Sequence, residues 1–334
     1  MKTNSNVQLA SKLYLDDIYG CDTVYGKDFE ILPVKGYLTT NVYKLLINIE
    51  SKNTIKYIKE SSDLNNDKFN RYIEDEFNNT KYIFEAFNQL GKVSVVKPIV
   101  YFADHKLFFM DEIEGKRLDK VIINLVFFRK RQHLLRIINL CKNWLTEFQG
   151  INCQDYHALK KFDFYESERE KIKHLHMRSL ENCEKENVDS INYVFNKAYD
   201  LVYNLKITQT DISYKHNDFA PWNILFDGKS ITVYDFADVN VDFKYYDLMY
   251  FVHSLSKLTK KIPFSNGVFD IIRYEMLKDT GISQETENYY SIYFYLQDIA
   301  FLLAKIKQGG FRAVLYRYKS KKILNKVNAY LERI

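Results

Sequence analysis

The chain is 334 residues long, with 46% hydrophobic residues, 27% charged residues and a formal net charge of +5. That balance supplies enough apolar material for one large domain or two smaller ones and excludes a disordered chain. With a pI near 8.7, the charge falls short of a nucleic-acid footprint, and no nucleic-acid partner is expected.

Four cysteines, Cys21, Cys141, Cys153 and Cys183, lie far apart without a CxxC pair, so reduced thiols in a reducing compartment are expected. Residues 1–9 have no apolar core behind a basic start, and the apolar runs at 121–128 and 289–295 are too short to cross a bilayer. A cytoplasmic protein without a membrane span is the expectation.

Residues 9–18 suit a short helix. From Phe29 the pattern turns β-like, with strands at 29–34, 42–49 and 54–59 joined by a turn over 36–41 and another at 51–53. This reads as a three-stranded antiparallel meander. Gly36, Thr39 and Thr40 in the first turn could lay backbone N–H groups and hydroxyls over phosphates, though such a turn also serves as a plain hairpin. Lys59 closes the third strand, where a lysine can reach nucleotide phosphates if a helix carboxylate holds it, and Lys56 is the competing choice.

Between residues 66 and 90 the spacing becomes helical, with Phe69, Tyr72, Ile73, Phe77, Thr80, Phe84 and Phe87 recurring mostly three or four apart. Glu76 lies mid-helix beside that stripe and is preferred over Glu85 as the lysine's tether. A fourth strand is expected at 93–102, with Pro98 marking an edge or an interruption, and a fifth at 106–110. Composition then shifts from strand-rich to helix-rich, placing a lobe boundary at Glu112 and Ile113, whose backbone could bond a nucleotide base or serve only as a connector.

Beyond Leu118 the chain reads as mainly helical, with amphipathic runs at 134–148, 191–202 and 293–305. His174 and His176 are two apart, do not share a helix face and are not expected to bind metal. The cations Arg312, Arg317, Lys319, Lys321 and Lys322 form a basic cluster, read as a solvated face or an anion- or membrane-binding surface.

The most informative stretch runs from His216 to Asp238. Asp218 stands five residues before Asn223, and Asp227-Gly228 turns the chain into a strand at 231–234 that ends on Asp235. In phosphoryl transfer a base and a metal ligand share one short loop while a second carboxylate arrives from a neighbouring strand. Asp218 would take the acceptor's proton, Asn223 and Asp235 would hold Mg²⁺, and His216 would orient the loop. A buried hairpin with incidental polar groups would have to explain all three positions by coincidence.

These residues resemble the aminoglycoside phosphotransferase and choline kinase-like family of the protein-kinase-like superfamily. His216-x-Asp218-x4-Asn223 is similar to that family's catalytic loop, and Asp235-Phe236-Ala237 to its metal-binding segment, with alanine where the family has glycine. Residues 110–118 are similar to its inter-lobe connector. Trp144-Leu145-x-x-Phe148-Gln149 resembles a helix end that often finishes in histidine. The resemblance spans roughly residues 36–251 and implies an α+β, bilobal protein-kinase-like fold, with a small antiparallel-sheet lobe over 1–112 and a mostly helical catalytic lobe over 113–334.

Asp235 is only twelve residues from Asp247, which leaves no room for the long activation segment of protein kinases. The expected activity is therefore transfer of the γ-phosphoryl group of ATP, or GTP, to a small-molecule hydroxyl, with a sugar or sugar-like alcohol the first guess. A catalytically silent nucleotide-binding scaffold and a protein kinase are the alternatives. Asp238 and Asp247 are expected to brace the loop and the helix start.

Overall fold

The computed structural model describes residues 5–19, 29–36, 39–49, 52–92, 94–152, 163–205, 207, 211–259, 262, 267–310 and 312–332. Packing divides the chain into two compact units. The first comprises Met1–Phe128, Thr146–Phe148 and His216–Asn240; the second comprises Arg129–Leu145, Gln149–Lys215 and Val241–Ile334.

The first unit begins with α1 (Ser5–Tyr19), which buries Val7, Ala10, Tyr14 and Leu15 on one stripe. That stripe packs with Tyr43, Leu45, Ile47, Ile58 and Phe109. The sheet consists of β1 (Phe29–Gly36), β2 (Thr40–Ile49), β3 (Lys52–Ser61), β4 (Pro98–Phe102) and β5 (Leu107–Asp111). Its order is β1-β2-β3-β5-β4, and all four pairings are antiparallel. β1 and β2 reach further into the first turn than the sequence suggests, leaving only residues 37–39 between them. Of these, Tyr37 and Leu38 lie outside the described residues.

Helix α2 (Asp67–Gln89) starts where the Asn66 side chain accepts hydrogen bonds from the N–H groups of Lys68 and Phe69, satisfying two otherwise orphaned donors. It stops at Leu90, after which Gly91 takes a φ of 70°. That left-handed geometry is common after a helix end and costs glycine little. Its inward stripe is Ile73, Glu76, Thr80, Ile83 and Phe87, and each large apolar member contributes roughly 1.5–3 kcal/mol of burial. A carboxylate within such a stripe requires a partner.

The fourth expected strand divides at Pro98. Residues 98–102 form edge strand β4, whereas Val95 bridges Val233 in parallel, with the Val96 N–H donating to the Val233 carbonyl and the Val233 N–H to that of Ser94. Proline has no N–H for a continuous ladder and restricts the residue before it, so the run serves two partners in turn.

The chain continues through β6 (Lys116–Arg117) and α3 (Leu118–Phe127), and β6 joins the hairpin of β8 (Ile224–Phe226) and β9 (Ile231–Val233) in a three-stranded sheet. Gly115 permits this approach. A Cβ there would lie 2.8 Å from the carbonyl carbon and oxygen of Phe226, and its φ is 129°.

The second unit contains most of α4 (Arg131–Gln149), then α5 (Phe164–Asn182), α6 (Val188–Tyr203), the ribbon of β7 (Ile212–Lys215) with β10 (Asn240–Phe243), α7 (Tyr245–Thr259), α8 (Val268–Leu277), α9 (Gln284–Lys307) and α10 (Ala313–Leu331). Helix α9 packs against α5, α6, α7 and α10. A buried ionic cluster ties this unit together. Lys171 donates to Glu168 and, at 2.6 Å, to Asp242; Lys215 donates to the same Asp242 oxygen; the Tyr289 hydroxyl donates to Glu168.

Asp247, expected to brace a helix start, is buried in the first turn of α7, where the helix dipole favours an acid. His176 stacks on Phe195 at 4.6 Å and contacts Asn192, so it is a half-buried side chain held by packing. Among the described residues, no group of three or more His, Cys, Asp and Glu side chains is arranged to hold a metal ion. Cys141 and Cys183 are free, while Cys21 and Cys153 lie outside the described residues. No described helix is long and apolar enough to cross a membrane.

Candidate active site

All the residues singled out from the sequence as catalytic, nucleotide-binding or metal-binding fall in the first unit. Lys59 lies on the face of β3 that meets α2, and its ammonium donates to Glu76 on that helix and, at 2.8 Å, to Asp235. Lys56, three positions earlier and hence on the opposite face of the strand, pairs with Asp111 instead. Glu85 is exposed. Of the competing choices, the structure brings together Lys59 and Glu76.

This cluster is electrically unbalanced. Burial would lower the Lys59 pKa, but Asp235 and Glu76 outweigh it and hold the ammonium above its ordinary value. Burial raises the Glu76 carboxyl to about 7, with Lys59 pulling the other way. For Asp235, burial is outweighed by Lys59, and the carboxyl stands below its ordinary value. One ammonium faces two carboxylates, and Asp235 is the less deeply buried of them.

The catalytic-type loop is held from several sides. Asn223 donates through Nδ2 to the Asp218 carbonyl at 3.0 Å and to Asp218 Oδ2 at 2.7 Å, while Trp222 Nε1 approaches the same oxygen at 3.4 Å. This orients the Asp218 carboxylate and directs the Asn223 amide nitrogen, rather than its oxygen, at it.

His216 is fully buried among Phe148, Phe219 and Phe236. Its Nδ1 accepts the Asp218 N–H at 3.3 Å, so Nε2 carries the proton toward the Tyr234 carbonyl at 3.2 Å. Burial depresses its pKa to about 4, which keeps the ring neutral and suits a role in orienting the loop.

Two backbone positions show the constraint on this loop. Asn217 and Asp235 have φ values of 69° and 74°, a left-handed region that is costly for residues other than glycine and recurs at functional sites. The Asn217 side chain donates to the Asp238 carbonyl, so Asp238 braces the loop through its backbone.

Tyr234 and Asn79 were not singled out from sequence. The Tyr234 hydroxyl donates to the Trp222 carbonyl and its N–H to the Asn223 carbonyl at 3.2 Å, while Asn79 donates to the Phe236 carbonyl at 3.0 Å. The available signals were a polar side chain one turn after Glu76 and a tyrosine immediately before the metal-type aspartate.

The remaining expected nucleotide contacts are placed as follows. Gly36 ends β1 opposite Asn41, and Thr40 is buried opposite Ser61. The Thr39 carbonyl accepts the Ser62 N–H. Glu112 is exposed, 4.0 Å from Lys44. Ile113 packs against Ile73, Val96, Phe108 and Met110.

The oxygen-only donor set of Asn223 and Asp235 suits Mg²⁺, which usually takes one or two carboxylates plus substrate phosphates and water rather than an all-protein cage. The excess negative charge beside Lys59 points the same way. These residues therefore fit the ion that the resemblance implies.

Residues 76–261 match the model of the phosphotransferase enzyme family. The chain belongs to that family. It is thereby placed among phosphotransferase enzymes. No curated protein matches the sequence.

Among solved structures, the gentamicin–APH(2″)-IIa complex is 13% identical with a TM-score of 0.56, covering 100% of this chain and 97% of the other. Choline kinase from Cryptosporidium parvum is 12% identical with a TM-score of 0.57, covering 98% and 96%. Spectinomycin phosphotransferase APH(9)-Ia in complex with ADP and spectinomycin is 14% identical with a TM-score of 0.55, covering 96% and 98%. This phosphotransferase shares their protein-kinase-like fold.

Proposed function

We propose that this phosphotransferase moves the γ-phosphoryl group of ATP, or of GTP, to a hydroxyl of a sugar or sugar-like alcohol. The observation that carries the reading is the half-buried Asp218 carboxylate, oriented by Asn223 and Trp222 on the loop that also carries a metal-type ligand. A carboxylate so placed can accept the attacking hydroxyl's proton as the new O–P bond forms, a step in which a positioned base contributes about 10²–10⁴-fold.

Asn223 and Asp235 would hold Mg²⁺, which would supply positive charge to offset that of the nucleotide phosphates. Lys59, tethered by Glu76, would contact the phosphates. Gly36, Thr39 and Thr40 would cover them, and the backbone at Glu112 and Ile113 would bond the base. Functionally, residues 1–112 then form the nucleotide lobe and 113–334 the catalytic and acceptor lobe. The packing units cut the chain differently, because His216–Asn240 packs with the N-terminal residues. Support for a small acceptor comes from the path after Asp235, where β10 and α7 follow directly and leave no room for a peptide-docking segment.

The test is Asp218→Asn, assayed with γ-labelled ATP or GTP, Mg²⁺ and a panel of polyhydroxylated small molecules. Turnover should fall by about 10²–10⁴-fold with the thermal shift on nucleotide binding retained. Unchanged turnover removes Asp218 as the base. Label on proteins alone would favour a protein kinase, and no turnover by the unaltered enzyme on any acceptor would favour a silent scaffold.

A further inference from the structure

The basic cluster near the C-terminal end of the sequence takes no part in the site described above. Between residues 299 and 331 there are eight lysines and arginines and no aspartate or glutamate. Eight exceeds the chain's whole net charge of +5, so the rest of the protein is net acidic and the positive charge is concentrated here. Helix α10 carries six of these cations, counting Arg312 at its N-cap.

At about 100° per residue, the side of α10 carrying Val327, its one buried residue, faces the body of the second unit. The opposite side presents Val314, Leu315 and Tyr318, which are 72%, 48% and 66% exposed. By the same geometry, Arg317 and Lys321 flank this apolar ridge on one side. Arg312, Lys319 and Lys326 flank it on the other, and Lys322 lies within it. Arg317 is paired with Glu184 at 2.9 Å and Lys326 lies 4.6 Å over the Tyr295 ring. Arg312, Lys319, Lys321 and Lys322 form no salt bridge among the described residues and are exposed.

We infer that this face of α10 docks the enzyme on the anionic surface of a lipid bilayer. An apolar ridge between two rows of cations is the arrangement by which a helix lies in a membrane interface, its apolar side chains among the acyl-chain ends and its cations among the headgroups. Nucleic acid would satisfy the cations but leave the ridge exposed to water. A second copy would satisfy the ridge but bring like charges together. The bilayer satisfies both, and its charge is complementary.

The experiment is co-sedimentation of the purified full-length protein with phosphatidylcholine vesicles and with vesicles in which phosphatidylglycerol replaces part of that lipid. Binding should be confined to the anionic vesicles and weaken as salt is raised. Each cation near the surface contributes about five-fold, so Lys319→Gln, Lys321→Gln and Lys322→Gln together should lower affinity about 100-fold at unchanged melting temperature. Val314→Ser, Leu315→Ser and Tyr318→Ser together should weaken binding while leaving its salt dependence in place.

No binding, equal binding to neutral vesicles, or full binding by the Gln variant would overturn the inference. So would tighter binding to RNA than to anionic vesicles, or a concentration-dependent dimer that disappears in the Ser variant. These readouts need no phosphoryl transfer, so they stand or fall apart from the proposed reaction.

Discussion

Each compact unit buries a cluster of lysines and carboxylates, and the two clusters are built for different ends. In the second unit Lys171 and Lys215 meet Glu168 and Asp242 two against two, the Tyr289 hydroxyl caps Glu168, and the Lys215 ammonium lies 4.2 Å over the Tyr246 ring. Charge there is balanced. In the first unit Lys59 alone faces Glu76 and Asp235, and Asp235 remains one-third exposed. Burial of charge therefore does not by itself mark a functional site; an unpaired excess of one sign, open on one side, does.

Parallel substitutions would separate the two clusters most sharply. Asp235→Asn should reduce turnover by about 10³-fold or more, equivalent to roughly 4 kcal/mol of transition-state stabilisation, with little loss in urea stability because Lys59 keeps Glu76. Asp242→Asn should do the reverse. Two buried ammoniums would lose their shared partner, a change that costs about 3–5 kcal/mol of stability, while turnover per folded molecule should stay within a few-fold of normal. Steady-state kinetics and denaturant titration on both variants measure the contrast. If Asp242→Asn abolished turnover at full stability, the division between the clusters would fail.

A smaller effect comes from His216. Its folded-state pKa is about 4 against an ordinary 6.5, so between those values the unfolded chain takes a proton that the folded ring refuses. Stability from this group is complete above the ordinary value and falls as pH drops towards 4, by roughly 3 kcal/mol in all. His216→Gln should flatten that part of the pH–stability curve, as measured by denaturation between neutral and mildly acidic pH.

The legibility of these features from sequence follows from their physics. The meander and α2 were readable because period-two and period-3.6 patterns persist over enough residues to be told apart, and the hairpin carrying Asn223 and Asp235 because Asp227-Gly228 marks its turn. Strands β6, β7 and β10 are two to four residues long and have no room for a period. The choice between Lys56 and Lys59 was open because they occupy opposite faces of one strand, and alternation alone does not say which face meets α2. The catalytic-type residues were easier than their supports. Asp218, Asn223 and Asp235 keep fixed offsets, whereas Tyr234 and Asn79 act through hydrogen bonds to carbonyls that only the folded backbone brings near.

The smallest predicted effect concerns one of those supports. Gly115 precedes β6 with a φ of 129°, and a Cβ there would meet the Phe226 backbone at 2.8 Å, so alanine would have both to adopt a disfavoured conformation and to push β8 away. Gly115→Ala should cost roughly 1–3 kcal/mol of stability. The strain is applied next to the hairpin that carries Asn223, so turnover per folded molecule should fall measurably as well, in contrast to Asp242→Asn. Equal loss of stability without loss of turnover would mean that the hairpin holds its ligands independently of β6. The unbalanced cluster would then be supported from α2 and the main sheet alone.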